Sequence, residues 1–367
     1  MDDNVSVGVE EEFHVVDLST RALVPRGAEI LEQLSGGRYA AELQRATVET
    51  NTLPWAYLAD LRKDLTELRA RLVDAAKSIG LAPVAAGTAP LTSPDTSIIS
   101  EGDRYAYLHE NYQLLARQQM VCGLQVHADV ADRDLAVAVA QRVQPWLPIF
   151  LALTVSSPYW MGDDSGYGSS RTLAWQRWPT AGPAGPFANA AEYDQAVADL
   201  VRAGVMLDAG MIYFDVRPSA HVPTVELRVC DATPLIEDVI LVAGLFRALV
   251  IRERDAAAAG EPLPPVRPAL ARAATWRAAR YGMDGDLITV TDPVPVPARE
   301  RVEALLEDLR PILTACGDWE TVRELADATL ARSSSATRQR AAFAERGELA
   351  DVVDLLVAET ASGLGLP

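Results

Sequence analysis

Four stretches of this chain alternate apolar and polar residues with a period of two: Val5–Asp17, Gly123–Val130, Met211–Pro218 and Thr224–Asp231. Successive strand residues point to opposite faces of a sheet, so each stretch predicts a β-strand with one buried and one polar face. In the first, Val5, Val7, Val9, Phe13 and Val15 share one side, and Gly8, Glu10, Glu12 and His14 share the other; only Glu11 breaks the apolar side. The second sets Leu124, Val126, Ala128 and Val130 against Gln125, His127 and Asp129. The third sets Ile212, Phe214 and Val216 against Asp215 and Arg217, and the fourth sets Val225, Leu227 and Val229 against Glu226, Arg228 and Cys230.

A solvated sheet face would carry Thr, Ser, Lys and Gln, whereas these faces offer carboxylates, imidazole and guanidinium. Carboxylates two positions apart on a strand lie about 6.6 Å apart at the backbone. At that range they repel unless something positive sits between them. The pattern points to a divalent-cation and phosphate site; a wet antiparallel face laced with ion pairs is the structural alternative.

With 367 residues, 49% of them hydrophobic, the chain can bury a large core. Lys plus Arg number 33 against 51 Asp plus Glu, a net charge of −18 with no dense basic stripe, which argues against nucleic acid and anionic membranes as partners. An anionic small molecule would bind only where local arginines and metal ions reverse that field. No segment reaches the roughly 20 uninterrupted apolar residues of a membrane span. The acidic start Met1-Asp2-Asp3-Asn4 suits neither a secretory nor a transit peptide, so a cytoplasmic protein is expected. Cys122, Cys230 and Cys316 form no CxxC pattern, which argues against a disulfide framework or a zinc site and for reduced thiols.

Leu58, Leu61, Leu65, Leu68, Leu72 and Ala75 recur at three and four residues and predict a one-faced helix within Trp55–Ile79. Ala82–Thr88 reads as a short buried strand and Arg104–Met120 as a helix; Leu135–Leu153 reads as helical with a kink or break at Pro145 and Pro148. The Gly/Pro-rich stretch Ser156–Pro186 is long for a structureless connection, and its Tyr159, Trp160, Tyr167, Trp175 and Trp178 around Arg171 and Arg177 suggest function. On spacing alone Arg171 is as well read as a surface ion pair as a substrate ligand. Val239–Ala259 and Arg299–Leu366 are helix-rich. Strands mixed irregularly with helices, and no dividing linker, predict one α+β domain over residues 1–367 with a largely antiparallel sheet.

Gly8-Val9-Glu10-Glu11-Glu12, Val48-Glu49-Thr50-Asn51-Thr52, Cys122-Gly123-Leu124-Gln125-Val126-His127, Arg171 with Trp175-Gln176-Arg177-Trp178-Pro179, and Thr224-Val225-Glu226-Leu227-Arg228-Val229 together resemble the type 2 glutamate–cysteine ligases, or carboxylate–amine ligases. Trp276-Arg277-Ala278-Ala279-Arg280-Tyr281-Gly282 and Arg338-Gln339-Arg340 extend the resemblance over nearly the whole chain. It implies the catalytic core of glutamine synthetase and the guanidino kinases: a curved, largely antiparallel sheet with flanking helices, its concave face holding ATP and Mg²⁺, with Mn²⁺ also admitted. It further implies that ATP phosphorylates a carboxylate and an amine displaces the phosphate, with glutamate as the acid and cysteine or another amine as acceptor. Small-molecule carboxylates and amines are then the partners, and a homo-oligomer is compatible.

Carried onto this chain, the resemblance marks Glu10, Glu12, Glu49, His127 and Glu226 as metal ligands, with Glu42 as a further one. Arg228 would meet the transferring phosphoryl group, and Arg171 and Arg217 would take phosphate or the substrate carboxylate. Arg277 and Arg280, three positions apart on a helix, are further phosphate candidates. Trp276 and Tyr281 could stack on adenine or pack in the core. Ser156–Pro186 and Ser333–Arg340 are candidates for excluding water. His14, His109 and His221 read as non-ligands, and Cys230 as a packing residue that faces the site. Gln125, Ala89, Ser333–Ser335 and Thr275 depart from the commoner pattern, which leaves the ligase class better supported than its substrates. A phosphotransferase on the same core and a nucleotide-binding non-catalytic relative remain alternatives.

Overall fold

Eleven consecutive residues, Val7–Asp17, form β1, the strand about which the sheet is built. The computed structural model describes residues 5–93, 95 and 97–365, so the acidic start Met1–Asn4 and Leu366 lie outside the described residues. The other strands of the sheet are β2 (Tyr39–Ala41), β3 (Thr47–Asn51), β4 (Leu81–Val84), β5 (Gly123–Asp129), β8 (Val216–Pro218) and β9 (Thr224–Asp231). Their order is β2-β3-β1-β5-β9-β8 with β4 also on β1, and every pairing is antiparallel. Two short hairpins stand apart, β6 (Tyr159–Trp160) with β7 (Asp163–Asp164), and β10 (Asp286–Leu287) with β11 (Val296–Pro297).

Helices fill the intervals: α1 (Gly27–Leu31), α2 (Leu58–Ser78), α3 (Asp103–Tyr112), α4 (Leu114–Arg117), α5 (Arg133–Arg142), α6 (Leu147–Thr154), α7 (Ser170–Trp175) and α8 (Ala190–Arg202) in the first two thirds. After β9 come α9 (Ile236–Ala258), α10 (Pro268–Tyr281), α11 (Ala298–Ala315), α12 (Trp319–Arg332), α13 (Ser335–Arg346) and α14 (Leu349–Thr360). This is the α+β arrangement of an antiparallel sheet with flanking helices that the alternation predicts.

One face of the sheet makes the main core. Val7 and Val9 of β1, Leu124, Val126 and Ala128 of β5, and Val225, Leu227 and Val229 of β9 pack against Leu58, Leu61 and Leu65 of α2 and the buried length of α9. The predicted leucine stripe of α2 is buried from Leu58 to Leu72. Glu11 lies on this apolar side because α2 supplies its partner. Arg69 donates to Glu11 at 2.5 and 3.1 Å, both residues are buried, and the same guanidinium holds the Thr233 and Pro234 carbonyls at the entry to α9.

Several sequence expectations are corrected. The strand read over Met211–Pro218 pairs in the ladder only from Val216, because Ala209–Met211 form a 3₁₀ turn and Phe214 and Asp215 engage Gly182. The helix read over Arg104–Met120 breaks at Gln113, whose φ of 47° is incompatible with a right-handed helix. The stretch Leu135–Leu153 divides into α5, a 3₁₀ turn at Gln144–Trp146 and α6, with Pro145 and Pro148 in first-turn positions where a missing N–H costs nothing. That stretch, at 133–154, is the one helical segment among the described residues apolar enough to cross a membrane by length and composition, and 78% of it is buried in the fold.

Cutting one partner from a buried ion pair strands the other charge in the core, at a cost of about 3–5 kcal/mol, whereas replacing both by apolar groups is close to neutral. Arg69→Leu is therefore expected to lower unfolding stability by about that amount, and Glu11→Leu/Arg69→Leu to recover the part due to the stranded carboxylate but not that of the Thr233 and Pro234 carbonyls left without a donor. Urea titrations of the three proteins check this.

Candidate active site

Glu10 and Glu12 leave β1 on the face opposite the core, and the register sets Glu49 of β3 directly across from Glu12. Glu42, just after β2, joins them. Ligand oxygens of Glu12, Glu42 and Glu49 lie within 4.8 Å of one another. On the other side of β1, His127 of β5 stands across from Glu226 of β9, and Glu10, His127 and Glu226 meet the same limit. The six residues singled out as metal ligands are thus brought together as two triads on one sheet face, and the donor chemistry of each, hard oxygens with at most one imidazole, fits Mg²⁺ or Mn²⁺.

The triads differ in charge. Among the described residues, no arginine or lysine lies within ion-pairing distance of Glu12, Glu42 or Glu49. Burial, then the charge of Glu42, pushes Glu12 up to about 7 and Glu49 well above the usual carboxylate range. Hydrogen bonds to Glu12 from the Gly123 N–H at 2.6 Å and the Gln125 amide at 2.9 Å, and to Glu49 from Asn51 at 2.8 Å, offset this only in part.

The second triad is already compensated. Burial alone would raise Glu226, but Arg228, Arg217 (2.8 Å) and His127 hold it well below the usual range. Burial opposes charge on His127, yet Glu10, 3.3 Å from Nε2, and Glu226 raise it; Nδ1 meets the Thr224 hydroxyl at 2.8 Å. Gln125 links the triads: its amide nitrogen donates to Glu12, and its oxygen accepts from Arg228 at 3.0 Å.

Beside the first triad lies a cleft of about 250 Å³. Its floor is Glu10, Glu12, Glu49, Gln125 and Arg228, and its walls are Arg104 and Tyr105 of α3, Trp175 of α7, and Trp178 and Tyr213. A second apolar cluster, with Leu43, Leu108, Trp178, Met206, Met211 and Ile212, supports those walls. Arg104 is ion-paired to Asp208, tying α3 to the segment before β8.

The arginines divide. Arg228 lines the cleft. Arg217 is consumed within the protein, donating to Glu226 and to the Gly210 and Ile212 carbonyls, and does not line the cleft. Arg171 is no surface ion pair: it is 3% exposed, does not line the cleft, and donates to the Arg228 and Val229 carbonyls at 3.2 and 3.4 Å. Arg277 and Arg280 also lie off the cleft. Arg277 donates to the Asp286 carbonyl and stacks on Tyr281, while Arg280 sits between Tyr167 and Tyr281. Trp276 and Tyr281 are part of that same surface cluster, 42% and 39% exposed.

Cys230 does not face the site as strict alternation requires. The ladder between β5 and β9 shifts between Leu124 and Val126, so Gln125 stands opposite two residues, Arg228 and Val229. Beyond this bulge the faces exchange, and Cys230 points into the core toward the Phe150 carbonyl. His14 is fully buried, and burial lowers it to about 4. The segments suggested as cover meet each other: Ser156 Oγ lies 2.9 Å from Ser335 Oγ, and Gln339 donates to the Ser156 carbonyl. Sequence reasoning missed Asn51, Arg104, Tyr105 and Tyr213 as site residues. Asn51 carried a signal, two positions after Glu49 on the same strand; Arg104 and Tyr105 sit on a helix whose polar positions look like solvent contacts.

The sequence matches the glutamate-cysteine ligase family 2 (GCS2) profile over residues 6–354. It is 56% identical over 356 residues to a Frankia casuarinae protein provisionally named glutamate–cysteine ligase 2-2, covering 97% of this chain and 41% of that one. A protein of the same provisional name from Mycolicibacterium smegmatis is 52% identical over 357 residues, 97% of this chain and 90% of that one. The chain therefore spans less than half the length of the Frankia relative. In fold it is similar to the glutamate–cysteine ligase of Francisella tularensis solved in complex with AMP, at a TM-score of 0.72 and 14% identity over 98% of this chain and 90% of that one. It is also similar to a bifunctional glutathione synthetase from Pasteurella multocida, at a TM-score of 0.74 and 15% identity over 99% of this chain and 53% of that one. The profile match over almost the full length, with two relatives above half identity, shows that this chain belongs to glutamate–cysteine ligase family 2.

Proposed function

We propose that this chain is an ATP-dependent carboxylate–amine ligase that forms an amide bond through an acyl phosphate, with glutamate as acyl donor and cysteine or another amine as acceptor. The observation that carries this reading is the pair of carboxylate-rich triads on one sheet face, joined by Gln125 and Arg228 and opening on a cleft lined by all of the first triad and, of the second, by Glu10. The cleft is smaller than the roughly 300–1,000 Å³ of drug-sized pockets, which suits amino-acid substrates better than a nucleotide. His127 and Glu226 do not line it, so the nucleotide phosphates belong over the second triad.

The chemistry sets the requirements. A carboxylate and a γ-phosphate are both anionic, and bringing them in line needs positive charge at both. Magnesium ions held by Glu12, Glu42 and Glu49 and by Glu10, His127 and Glu226 would supply most of that charge. Arg228, fixed between Glu226 and Gln125 and lining the cleft, is placed to meet the phosphoryl group as it passes from one region to the other. The aromatic walls Tyr105, Trp175, Trp178 and Tyr213 keep water from the acyl phosphate until the amine attacks. The Francisella structure holds AMP, in keeping with adenine nucleotide use on this fold.

Glu10→Ala should cut metal-dependent ATP turnover by at least about 100-fold, on the scale of losing a main charge-stabilising group, while circular dichroism stays native, since the Glu10 side chain is not part of the core. Near wild-type turnover would refute the site.

Metal-free stability should fall with pH. Glu12 titrates at about 7 in the folded chain against an ordinary 4.5, so between those values the native state binds more protons than the unfolded state. Stability then declines as pH rises through that window, by on the order of 3 kcal/mol, and a divalent cation restores it above. Thermal melts at about pH 5.5 and about pH 8 check this; a magnesium-induced gain no larger at the higher pH would show that no cation occupies the first triad.

Screening pairs of acids and amines for ADP release with magnesium separates ligase from phosphotransferase. Release that requires both substrates is expected; release with a stable phosphorylated acceptor and no need for an amine would favour the phosphotransferase.

A further inference from the structure

We infer that Arg171 is a positioning residue: it holds the β9 bulge in place and so fixes the backbone from which Arg228 reaches into the site. It is not a substrate ligand. The inference rests on the reading above only in giving Arg228 a role in phosphoryl transfer.

A bulge leaves backbone groups outside the ladder, and buried carbonyls need donors. Here the carbonyls in question belong to Arg228 and Val229, the two residues facing Gln125, and Arg171 donates one guanidinium nitrogen to each. A lysine ammonium is a point charge and lacks the planar fork that reaches two neighbouring carbonyls at once. Arg171 is held there from three sides. Asp231, the last residue of β9, accepts hydrogen bonds from the Ser169 and Ser157 hydroxyls at 2.7 Å each and from the Ser156 N–H at 3.0 Å, and lies 3.9 Å from Arg171. Ser169 caps the N-terminus of α7, the helix that carries Arg171. The strand thus fixes the helix at Asp231, and the helix returns to fix the same strand at Arg228 and Val229. On the third side is Gly123, where an added Cβ would lie 2.5 Å from the Arg171 guanidinium, so the close approach requires glycine. The Trp175 ring meets both the Arg171 and the Arg228 guanidiniums, 5.4 and 5.7 Å from its centroid.

The bulge decides which way the side chains beyond Arg228 face. Glu226 and Arg228 project onto the polar face, whereas Cys230 is turned into the core and fully buried. If the clamp is lost, the ladder can recover its regular period beyond Arg228, which returns Cys230 to the site face and leaves the Arg228 backbone without its buried donor.

The test compares wild type, Arg171→Met and Gly123→Ala by two readouts, steady-state kinetics and labelling of native protein with a thiol reagent, mapped by peptide mass spectrometry. Both variants should lose at least tenfold in kcat while KM for nucleotide and acid stays within twofold. Cys230 should label at least tenfold faster than in wild type, with Cys122, equally buried beside the same sheet, still protected. A tenfold rise in KM with Cys230 protected would make Arg171 a substrate contact and overturn the inference. Joint labelling of Cys122 and Cys230 would also overturn it, as general loosening of the chain. Should Arg171→Met not fold, Gly123→Ala displaces the guanidinium without removing it and gives the same readings. If wild type shows no acid- and amine-dependent turnover, the ligase reading fails, while thiol labelling still decides the clamp.

Discussion

Repulsion among glutamates is the constraint on which this structure turns. Glu10, Glu12, Glu42 and Glu49 crowd one sheet face, and in water they would separate. They are kept together by what lies beneath them. The same strands that expose the acids bury Val7, Val9, Leu124, Val126 and Leu227 against α2 and α9, so moving a carboxylate away would mean pulling a strand out of the core. Apolar burial of about 1.5–3 kcal/mol per large side chain is ample to hold an arrangement that electrostatics alone would disperse. The pleat makes this possible, because a single strand can satisfy opposite demands on its two sides.

Much of this was legible from period-two patterning. The bounds of β9 coincide with the alternating stretch, those of β1 and β5 nearly so, and Glu10, Glu12, His127 and Glu226 fall on the side that the pattern assigns them, whereas Glu42 and Glu49 lie outside those stretches and were marked by the family resemblance alone. The pattern fails where a long-range partner overrides it. Glu11 looked like a flaw in an apolar face until α2 delivered Arg69 to it from 58 residues away. Cys230 was assigned to the wrong face because a bulge shifts the register after Arg228, and nothing local to the strand announces one. Arginine roles were the least legible. Arg217, Arg277 and Arg280 have the same donor chemistry as Arg228, and only the fold shows that Arg217 and Arg277 donate to a carboxylate and to carbonyls of the chain itself while Arg280 packs on tyrosine rings.

The two triads also ask different things of a cation. Glu226 arrives already paired with Arg217 and Arg228, so an ion there must compete with guanidiniums, and additional anionic oxygens from a ligand would help it do so. Glu12, Glu42 and Glu49 have only neutral donors, and Coulomb attraction for an ion is correspondingly stronger. Gln125 spans the two, with nitrogen toward the acids and oxygen toward the arginine.

The cleft is assembled from two independent parts, a sheet that contributes charge and a set of helix and connecting segments that contribute shape. Arg104, Tyr105, Trp175, Trp178 and Tyr213 belong to the second part, which rests on its own small apolar cluster instead of on the main core. None of those residues belongs to the main core beneath the strands, although the Trp175 ring meets Arg171 and Arg228. A lineage built on this scaffold can therefore drift toward new acids or amines by changing its lining alone, with the reaction itself inherited intact.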